Sequence, residues 1–196
     1  RYIGDWSSDV CSSDLGDMED TNLLLTYLVT LLVLLGVAAV LVFRQVYKTR
    51  RVEGTLSRLQ AKLTKEKGTA QEHYELGSLM VDKKLYSQAI IHLKQALKLL
   101  DKEESEKAAM IYNALGFSYF AQEQYDVAIR QYKEALDIAP SYVTALNNLG
   151  HSYERKQLIA QSLESYEKAL EYEPSNKTAK RRADSLRKRL APASPE

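Results

Sequence analysis

The sequence predicts an all-α protein, in which an N-terminal transmembrane helix and a linker helix precede an α-solenoid of three helix-pair repeats and a C-terminal capping helix. Three observations support this fold class. The stretch from Ala109 to Pro140 recurs at a spacing of 34 residues, which is a period typical of solenoids built from helix pairs. Residues 23–43 carry no charge over 21 positions, and residues 177–190 form an amphipathic segment after the last repeat.

The first 17 residues are interpreted as a leader that is foreign to the native chain. The run RYIGDWSSDVCSSDL begins without methionine, has no apolar period and resembles a translated sequencing adapter. We therefore expect the native chain to start at Met18. The single cysteine, Cys11, and the single tryptophan, Trp6, fall within this leader, so no disulfide, thiol chemistry or cysteine metal site is expected in the native protein.

Residues 23–43, LLLTYLVTLLVLLGVAAVLVF, are predicted to cross a bilayer, because a helix of 21 residues extends about 30 Å. A cleaved secretory signal is the alternative, but the apolar run is long, acids precede it, and no small-residue cleavage site stands before Arg44. Basic residues follow the run at positions 44, 48, 50 and 51. The positive-inside rule therefore places residues 18–22 on the translocated side and the repeats on the cytoplasmic side.

Residues 44–69 are predicted to form a basic linker helix whose charge attracts the anionic head groups of the bilayer. Its apolar residues alternate by four and three, which is a heptad pattern: Val52, Leu56, Leu59 and Leu63. Two interpretations stay open. The helix either lays this apolar edge on the first repeat or uses it to form a homo-oligomer.

The three repeats, over residues 70–176, are assigned to residues 70–103, 109–142 and 143–176. The first repeat precedes the second by 39 residues instead of 34, so about five extra residues are expected in the charged stretch DKEESEK, where they lengthen the second helix or loosen the connection. Asp101 stands where a proline would end the first repeat, and Ser162 replaces a small alanine in the third. The positions assigned to packing between helices are Leu76, Gly77, Ala89, Ala96, Leu115, Gly116, Tyr119, Ala128, Tyr132, Ala135, Pro140, Leu149, Gly150, Tyr153, Tyr166, Ala169 and Pro174.

Each class of packing residue has a physical role. Glycine allows two helices to approach closely, alanine fits where the second helix crosses the first, and tyrosine fills the space between them. Pro140 and Pro174 are predicted to end the second helices, because proline lacks an N–H and its ring clashes with the preceding turn. Together the aromatic-x2-Leu-Gly-x2-Tyr run, the small-x3-aromatic run and the final proline resemble the tetratricopeptide repeat.

Residues 177–190, KTAKRRADSLRKRL, place Ala179, Ala183, Leu186 and Leu190 on one face and so predict a helix that closes the solenoid. Residues 191–196 are expected to be a disordered tail. A basic helix of this kind can hold phosphate, but without interleaved aromatic residues or a recognition motif we expect no nucleic-acid partner.

The charges are distributed unevenly along the chain. Residues 44–67 contain eight basic residues against two acids, residues 68–176 contain eleven against sixteen, and residues 177–189 contain seven against one. The acidic body between basic ends predicts a client segment that carries positive charge.

The residues do not indicate an enzyme, a cofactor or a metal site. The three histidines, His73, His92 and His151, lie in different parts of the repeat, and neither an HExxH motif nor a phosphate-binding glycine loop is present. His73 is interpreted as a partly buried packing residue, and Glu103, Glu104 and Glu106 as a solvated connector.

The solenoid is expected to act through a concave groove lined by the second, fifth, ninth and twelfth positions of each first helix. Amides there can pair with an extended peptide backbone, and phenylalanines can contact apolar side chains or else pack under neighbouring helices. The predicted protein-binding residues are Tyr74, Ser78, Asn113, Phe117, Phe120, Asn147, His151 and Glu154, with Gln71, Met110 and Thr144 at equivalent positions. One tetratricopeptide subclass clamps the C-terminal carboxylate of chaperones with lysines and asparagines. Gln71, Tyr74 and Thr144 stand at those positions here, so chaperone-tail capture is not expected.

Three runs carry a more specific resemblance: FRQVYKTRRVEGTLSRLQAKLTKEKGTAQEHYELGS, the repeat segments YNALGFSYFAQEQYDVAIRQYKEAL and TALNNLGHSYE, and the ending TAKRRADSLRKR. Over residues 18–190 the chain resembles a membrane-anchored tetratricopeptide family of cyanobacteria and plastids that is implicated in assembly or stability of photosystem I. The resemblance implies a thylakoid membrane protein with photosystem I subunits or assembly factors as partners. A membrane-anchored adaptor for secretion or envelope-complex assembly has the same architecture and stays open.

Overall fold

The computed structural model describes residues 13–101 and 105–190. Over these residues the chain is all-helical and has no strand, which confirms the predicted fold class. The helices are α1 Ser13–Lys65, α2 Ala70–Asp82, α3 Tyr86–Leu99, α4 Ser105–Ala121, α5 Tyr125–Ile138, α6 Val143–Arg155, α7 Ile159–Tyr172 and α8 Lys177–Leu190. The predicted leader lies outside the described residues as far as residue 12, and so does the whole predicted tail, residues 191–196.

Helix α1 contains the apolar run and most of the linker. Every residue from 23 to 43 is exposed, and the apolar part has a mean hydropathy of 2.7 over 18 residues, none of which is buried. By length and composition this helix can cross a membrane. The chain divides into two compact units, one up to Gly54 and one from Thr55 onwards, and the repeats belong to the second.

The C-terminal end of α1 packs on the first helix pair. Leu59 is buried, and the half-buried Leu56 and Leu63 contact the same apolar cluster, which includes Leu76 and Met80. These three leucines of the heptad pattern therefore pack against the first helix pair of the same chain. The surroundings of Val52, the first residue of the pattern, lie outside what the structure describes.

A short turn separates α1 from α2. Gly68 adopts φ +65° in this turn, a conformation that glycine reaches without steric cost. Thr69 then caps α2 in a capping box with Glu72, whose carboxylate also accepts a hydrogen bond from Lys62 of α1. The two bonds of the capping box satisfy backbone N–H groups that the start of a helix leaves without partners.

The two helices of each pair are joined by the same tight turn. In all three turns the first-helix carbonyl of residue 80, 119 or 153 accepts a hydrogen bond from a backbone N–H five residues later, at 2.8–3.0 Å. Lys84, Glu123 and Gln157 occupy the left-handed position with φ 61°. Glycine is the usual residue there, so the pairing of the two helices imposes a backbone that these side chains disfavour.

Close approach at the glycines sets the distance between paired helices. A Cβ atom at Gly116 would lie 2.6 Å from Cε1 of Tyr132, and one at Gly77 would lie 2.8 Å from Cγ of Leu93. Both distances are well below normal contact. The neighbouring small residues are completely buried, namely Ala89, Ala96, Ala128, Ala135 and Ala169.

The other predicted packing residues occupy equivalent places in the repeats. Leu76, Leu115, Leu149, Tyr132, Tyr153 and Tyr166 are buried, Tyr119 is half-buried, and Pro140 and Pro174 follow the ends of α5 and α7. Ser162 is fully buried, and its hydroxyl donates to the carbonyl of Gly150 at 2.8 Å. The polar atom that distinguishes serine from alanine is thereby satisfied.

The extra residues before the second repeat lengthen its first helix. Helix α3 has 14 residues, as α5 and α7 do, whereas α4 has 17 and begins at Ser105, four residues before Ala109. The second helix of the first repeat, α3, is therefore not lengthened by the inserted residues, although one interpretation of the insertion predicted this. Residues 102–104 lie outside the described residues.

Candidate functional site

The first helices α2, α4 and α6 lie side by side, with α4 in contact with both of the others. The predicted groove residues lie on these three helices. Their exposure differs. Met110 and Phe117 of α4 are 45% and 40% exposed, and Gln71 and Thr144 are also exposed. The remaining predicted residues are half-buried: Tyr74, Ser78, Asn113, Phe120, Asn147, His151 and Glu154.

Asn113 is held on both sides of its amide by Asn148 of α6 and by Tyr142, the residue just before α6. Its Oδ1 accepts a hydrogen bond from Nδ2 of Asn148 at 3.0 Å, and its Nδ2 donates to the hydroxyl of Tyr142 at 3.4 Å. Burial raises the pKa of Tyr142, so this hydroxyl stays neutral. The asparagine predicted to hold a peptide backbone therefore ties α4 to α6.

The rings of Phe120 and His151 form a contact across the same two helices, with centroids 4.7 Å apart, and Phe120 also meets Tyr125 edge-on at 5.3 Å. Burial lowers the pKa of His151, and the positive charge of Arg182 lowers it further. The imidazole is consequently neutral at physiological pH. Phe120 thus packs under a neighbouring helix, whereas Phe117 does not lie wholly beneath its neighbours.

Glu154 is engaged by two partners inside the protein. Oε1 accepts a hydrogen bond from the Tyr166 hydroxyl at 2.8 Å, and Oε2 accepts one from Nη1 of Arg182, on α8, at 3.1 Å. Burial raises the pKa of Tyr166, and the adjacent carboxylate raises it further. The charge of Glu154 is therefore balanced within the solenoid.

Two features of the groove remain available to a ligand. Met110 lies beside a cavity of about 190 Å³ that is mainly apolar and is lined by Ala70, Gln71, Tyr74, Leu100, Lys107, Met110 and Ile111. Oδ1 of Asn147 is buried and has no hydrogen-bond partner among the described residues. An unpaired buried acceptor is costly, and a rotation of this half-buried amide toward the groove would let it accept from an N–H of a bound peptide.

A histidine pair that the sequence did not indicate lies in the first repeat. His73 is 8% exposed; its Nε2 is 3.1 Å from the carbonyl of Lys67, and its Nδ1 is 3.1 Å from Nδ1 of His92. A carbonyl can only accept, so Nε2 of His73 donates to it. In the neutral ring Nδ1 is then the acceptor, and Nδ1 of His92 is the donor. Burial lowers the pKa of His92, with a further contribution from His73. The 19-residue separation spans a helix pair, which is why no sequence period indicated the contact.

The described residues contain no group of three or more His, Cys, Asp or Glu side chains arranged to hold a metal ion. The histidines take part in packing contacts, and the carboxylate of Glu154 is already paired. The arrangement offers a shaped surface for another protein segment.

Comparison with protein families agrees with the helix-pair architecture. Residues 116–157 match a TPR repeat model, and residues 143–176 match a second model described as a tetratricopeptide repeat. Among solved structures, MamA superposes with a TM-score of 0.65 at 21% identity over 72% of this chain and 80% of that chain. The first TPR of Spaghetti (RPAP3), solved with the HSP90 peptide SRMEEVD, superposes with a TM-score of 0.58 at 21% identity over 63% and 94% of the two chains. At this identity the similarity shows the fold alone.

Three sequence relatives come from photosynthetic lineages. The ycf37 protein of Guillardia theta is 33% identical over 63% of this chain and 73% of its own length, and that of Cyanophora paradoxa is 39% identical over 54% and 60%. The chloroplastic tetratricopeptide repeat domain-containing protein PYG7 of Arabidopsis thaliana is 37% identical over 69% of this chain. The match spans 44% of the length of PYG7.

Proposed function

Because this chain belongs to the ycf37 family of tetratricopeptide-repeat proteins, we propose that it is a membrane-tethered scaffold that acts in assembly or stabilisation of photosystem I. The fold and family are those of a non-catalytic scaffold for protein–protein interaction. The clients proposed here are photosystem I subunits or assembly factors, which bind through a segment that lies in the groove.

The tether is proposed to be a single span of the thylakoid membrane, with the repeats on the cytoplasmic or stromal side. The exposed apolar run of α1 and the basic residues that follow it support this topology. The plastid relatives support the choice of membrane, since PYG7 is named as chloroplastic. The scaffold would then meet client proteins where they are inserted into the membrane.

The observation that carries groove binding is the pair Met110 and Phe117. These side chains lie two turns apart on one face of the central first helix, and both are substantially exposed. Several polar neighbours in the groove are already paired, including Asn113 and Glu154. Apolar contact with Met110 and Phe117, aided by the acceptor of Asn147, is therefore the binding mode proposed for the client.

Replacing Met110 and Phe117 together with serine tests this proposal in a photosynthetic host that lacks the native copy. The matched control replaces Ile91 and Tyr172, which are 65% and 52% exposed on second helices. Both variants should accumulate in the membrane at the normal level. The groove variant should fail to restore photosystem I relative to photosystem II, whereas the control should restore it.

Full restoration by the groove variant would move the binding surface to the second helices or to the linker. Normal photosystem I levels in a host that lacks the protein altogether would refute the assembly role. If the same host instead shows a defect in secretion or envelope assembly, the adaptor function takes its place.

A further inference from the structure

Helix α8 occupies the place of a fourth first helix. It begins at Lys177, 34 residues after the start of α6, and it packs on the third repeat through Ala179, Ala183 and Leu186, which are all buried. Asn176 caps it by accepting a hydrogen bond from the backbone N–H of Ala179 at 3.0 Å. By the register of α4 and α6, the groove positions on α8 are Thr178, Arg181, Ser185 and Lys188, and all four are exposed.

The charge of the groove is therefore concentrated at this end. Counted from Ala70, Ala109 and Val143, where the three repeats begin, Glu154 is the only acid among the second, fifth, ninth and twelfth positions. Arg182 forms an ion pair with it. Arg187 is likewise paired, with Glu167 and Asp184. In the part of the chain that the structure describes, Arg181 and Lys188 make no ion pair.

The acids of the repeat body lie elsewhere. Many of them are on the second helices α5 and α7, as Asp126, Asp137, Glu164 and Glu167 are. Glu75 is on α2 at the opposite end of the row of first helices, where it hydrogen-bonds Gln71. A net acidic body thus coexists with a groove whose α8 end is positive.

We propose that this end of the groove, formed by Arg181 and Lys188 with Thr178 and Ser185, binds an acidic segment of the client. The inference rests on the proposed function, because the same client places an apolar residue on Met110 and Phe117. It contradicts the expectation, drawn from the charge balance along the chain, that the client segment carries positive charge. First helices pack about 9 Å apart, so α4 and α8 are separated by about 18 Å, which an extended segment covers with about six residues. The acidic run should therefore lie about that far from the apolar anchor.

Two amidated peptides test the charge preference with the full chain in neutral detergent. They share an apolar half with leucine and phenylalanine and a spacer of about six glycine and serine residues, and they end in either glutamates or lysines. The glutamate peptide should bind more tightly, and its advantage should shrink as salt screens the charges. Arg181→Gln with Lys188→Gln should weaken its binding about threefold to tenfold, the range expected for the loss of two exposed ion pairs.

Lys180→Gln is the matched control. It removes one positive charge, half of what the double variant removes, at a position one residue from Arg181 and about 100° round the helix. It should leave the affinity for the glutamate peptide unchanged. Equal or tighter binding of the lysine peptide would overturn the inference, as would a loss of affinity in the Lys180 variant equal to that of the Arg181 and Lys188 variant. Failure of both peptides to bind would also overturn it.

Two further measurements distinguish this inference from the proposed function alone and from binding to lipid. If the Met110 and Phe117 variant loses the glutamate peptide while the Arg181 and Lys188 variant retains it, the proposed function stands and the acidic-segment inference falls. Anionic phosphatidylglycerol vesicles, added to the chain reconstituted in neutral lipid, test a membrane surface as the ligand. Capture of these vesicles that depends on Arg181 and Lys188, without any preference between the peptides, would assign the two residues to lipid instead.

Discussion

Replacing Gly116 with alanine brings a methyl group against the ring of Tyr132. The new Cβ would lie 2.6, 2.7 and 2.9 Å from three ring carbons, so the ring must retreat by about 0.8 Å to reach normal contact. Tyr132 is 1% exposed, and the contacted atoms belong to a rigid ring. Overpacking costs about 1–3 kcal/mol, and contact with a rigid, buried ring places this change in the upper part of that range, at about 2–3 kcal/mol. Alanine gains about 1 kcal/mol over glycine as a helix former. We expect a net loss of about 1–2 kcal/mol.

The equivalent change at Gly150 provides the comparison. There the Cβ would lie 3.0–3.1 Å from the ring of Tyr166, so a shift of the ring by a few tenths of an ångström suffices. The small cost of overpacking and the gain in helix propensity then nearly cancel. Thermal melting of the full chain in detergent, followed by circular dichroism, measures both variants. Gly116→Ala should lower the melting temperature by about 3–6 °C, and Gly150→Ala should leave it close to that of the parent.

A smaller residue at position 132 tests whether the ring is the cause. Adding Gly116→Ala to Tyr132→Leu should cost less than adding it to the parent, because the branched side chain leaves room for the methyl group. If the alanine costs the same in both backgrounds, or if the two glycine variants melt alike, the close crossing of α4 and α5 is not what makes Gly116 necessary.

Four further outcomes follow from the same contacts. Gln157→Gly should raise the melting temperature, since it removes a left-handed backbone cost of about 1 kcal/mol; a lower value would contradict that strain. Thr69→Ala should lower stability by about 1 kcal/mol through loss of the capping box, which urea unfolding measures. The pKa of His92 is lowered in the folded state, so the unfolded chain binds more protons. The contribution of His92 to stability should therefore be complete above about pH 6.5 and be lost as the pH drops through the lowered pKa. His92→Gln should flatten this pH profile of stability. Carbonate or high-salt washing should leave the protein in the membrane, whereas release by salt alone would show that residues 23–43 do not span it.

Much of the fold follows from local patterns in the sequence. The 34-residue spacing indicates helix pairs because each pair has an apolar face that only the next pair can bury. The same spacing located Gly116 and Tyr132, which pack against each other in the structure. It did not locate the left-handed turn residues, because Lys84, Glu123 and Gln157 carry no glycine signal and the packing of two helices imposes their conformation.

The candidate site depended more strongly on tertiary structure. The prediction of which positions face the groove uses helical register alone, which the sequence supplies. The sequence did not indicate that Asn113 and Glu154 are paired within the protein. The partners of Asn113 lie 29 and 35 residues away along the chain, and those of Glu154 lie 12 and 28 residues away. Nor did the charge count along the chain predict the charge of the groove. Folding separates the acids of the second helices from the cations of α8, and electrostatic attraction of a ligand depends on the charges that face it, not on their sum.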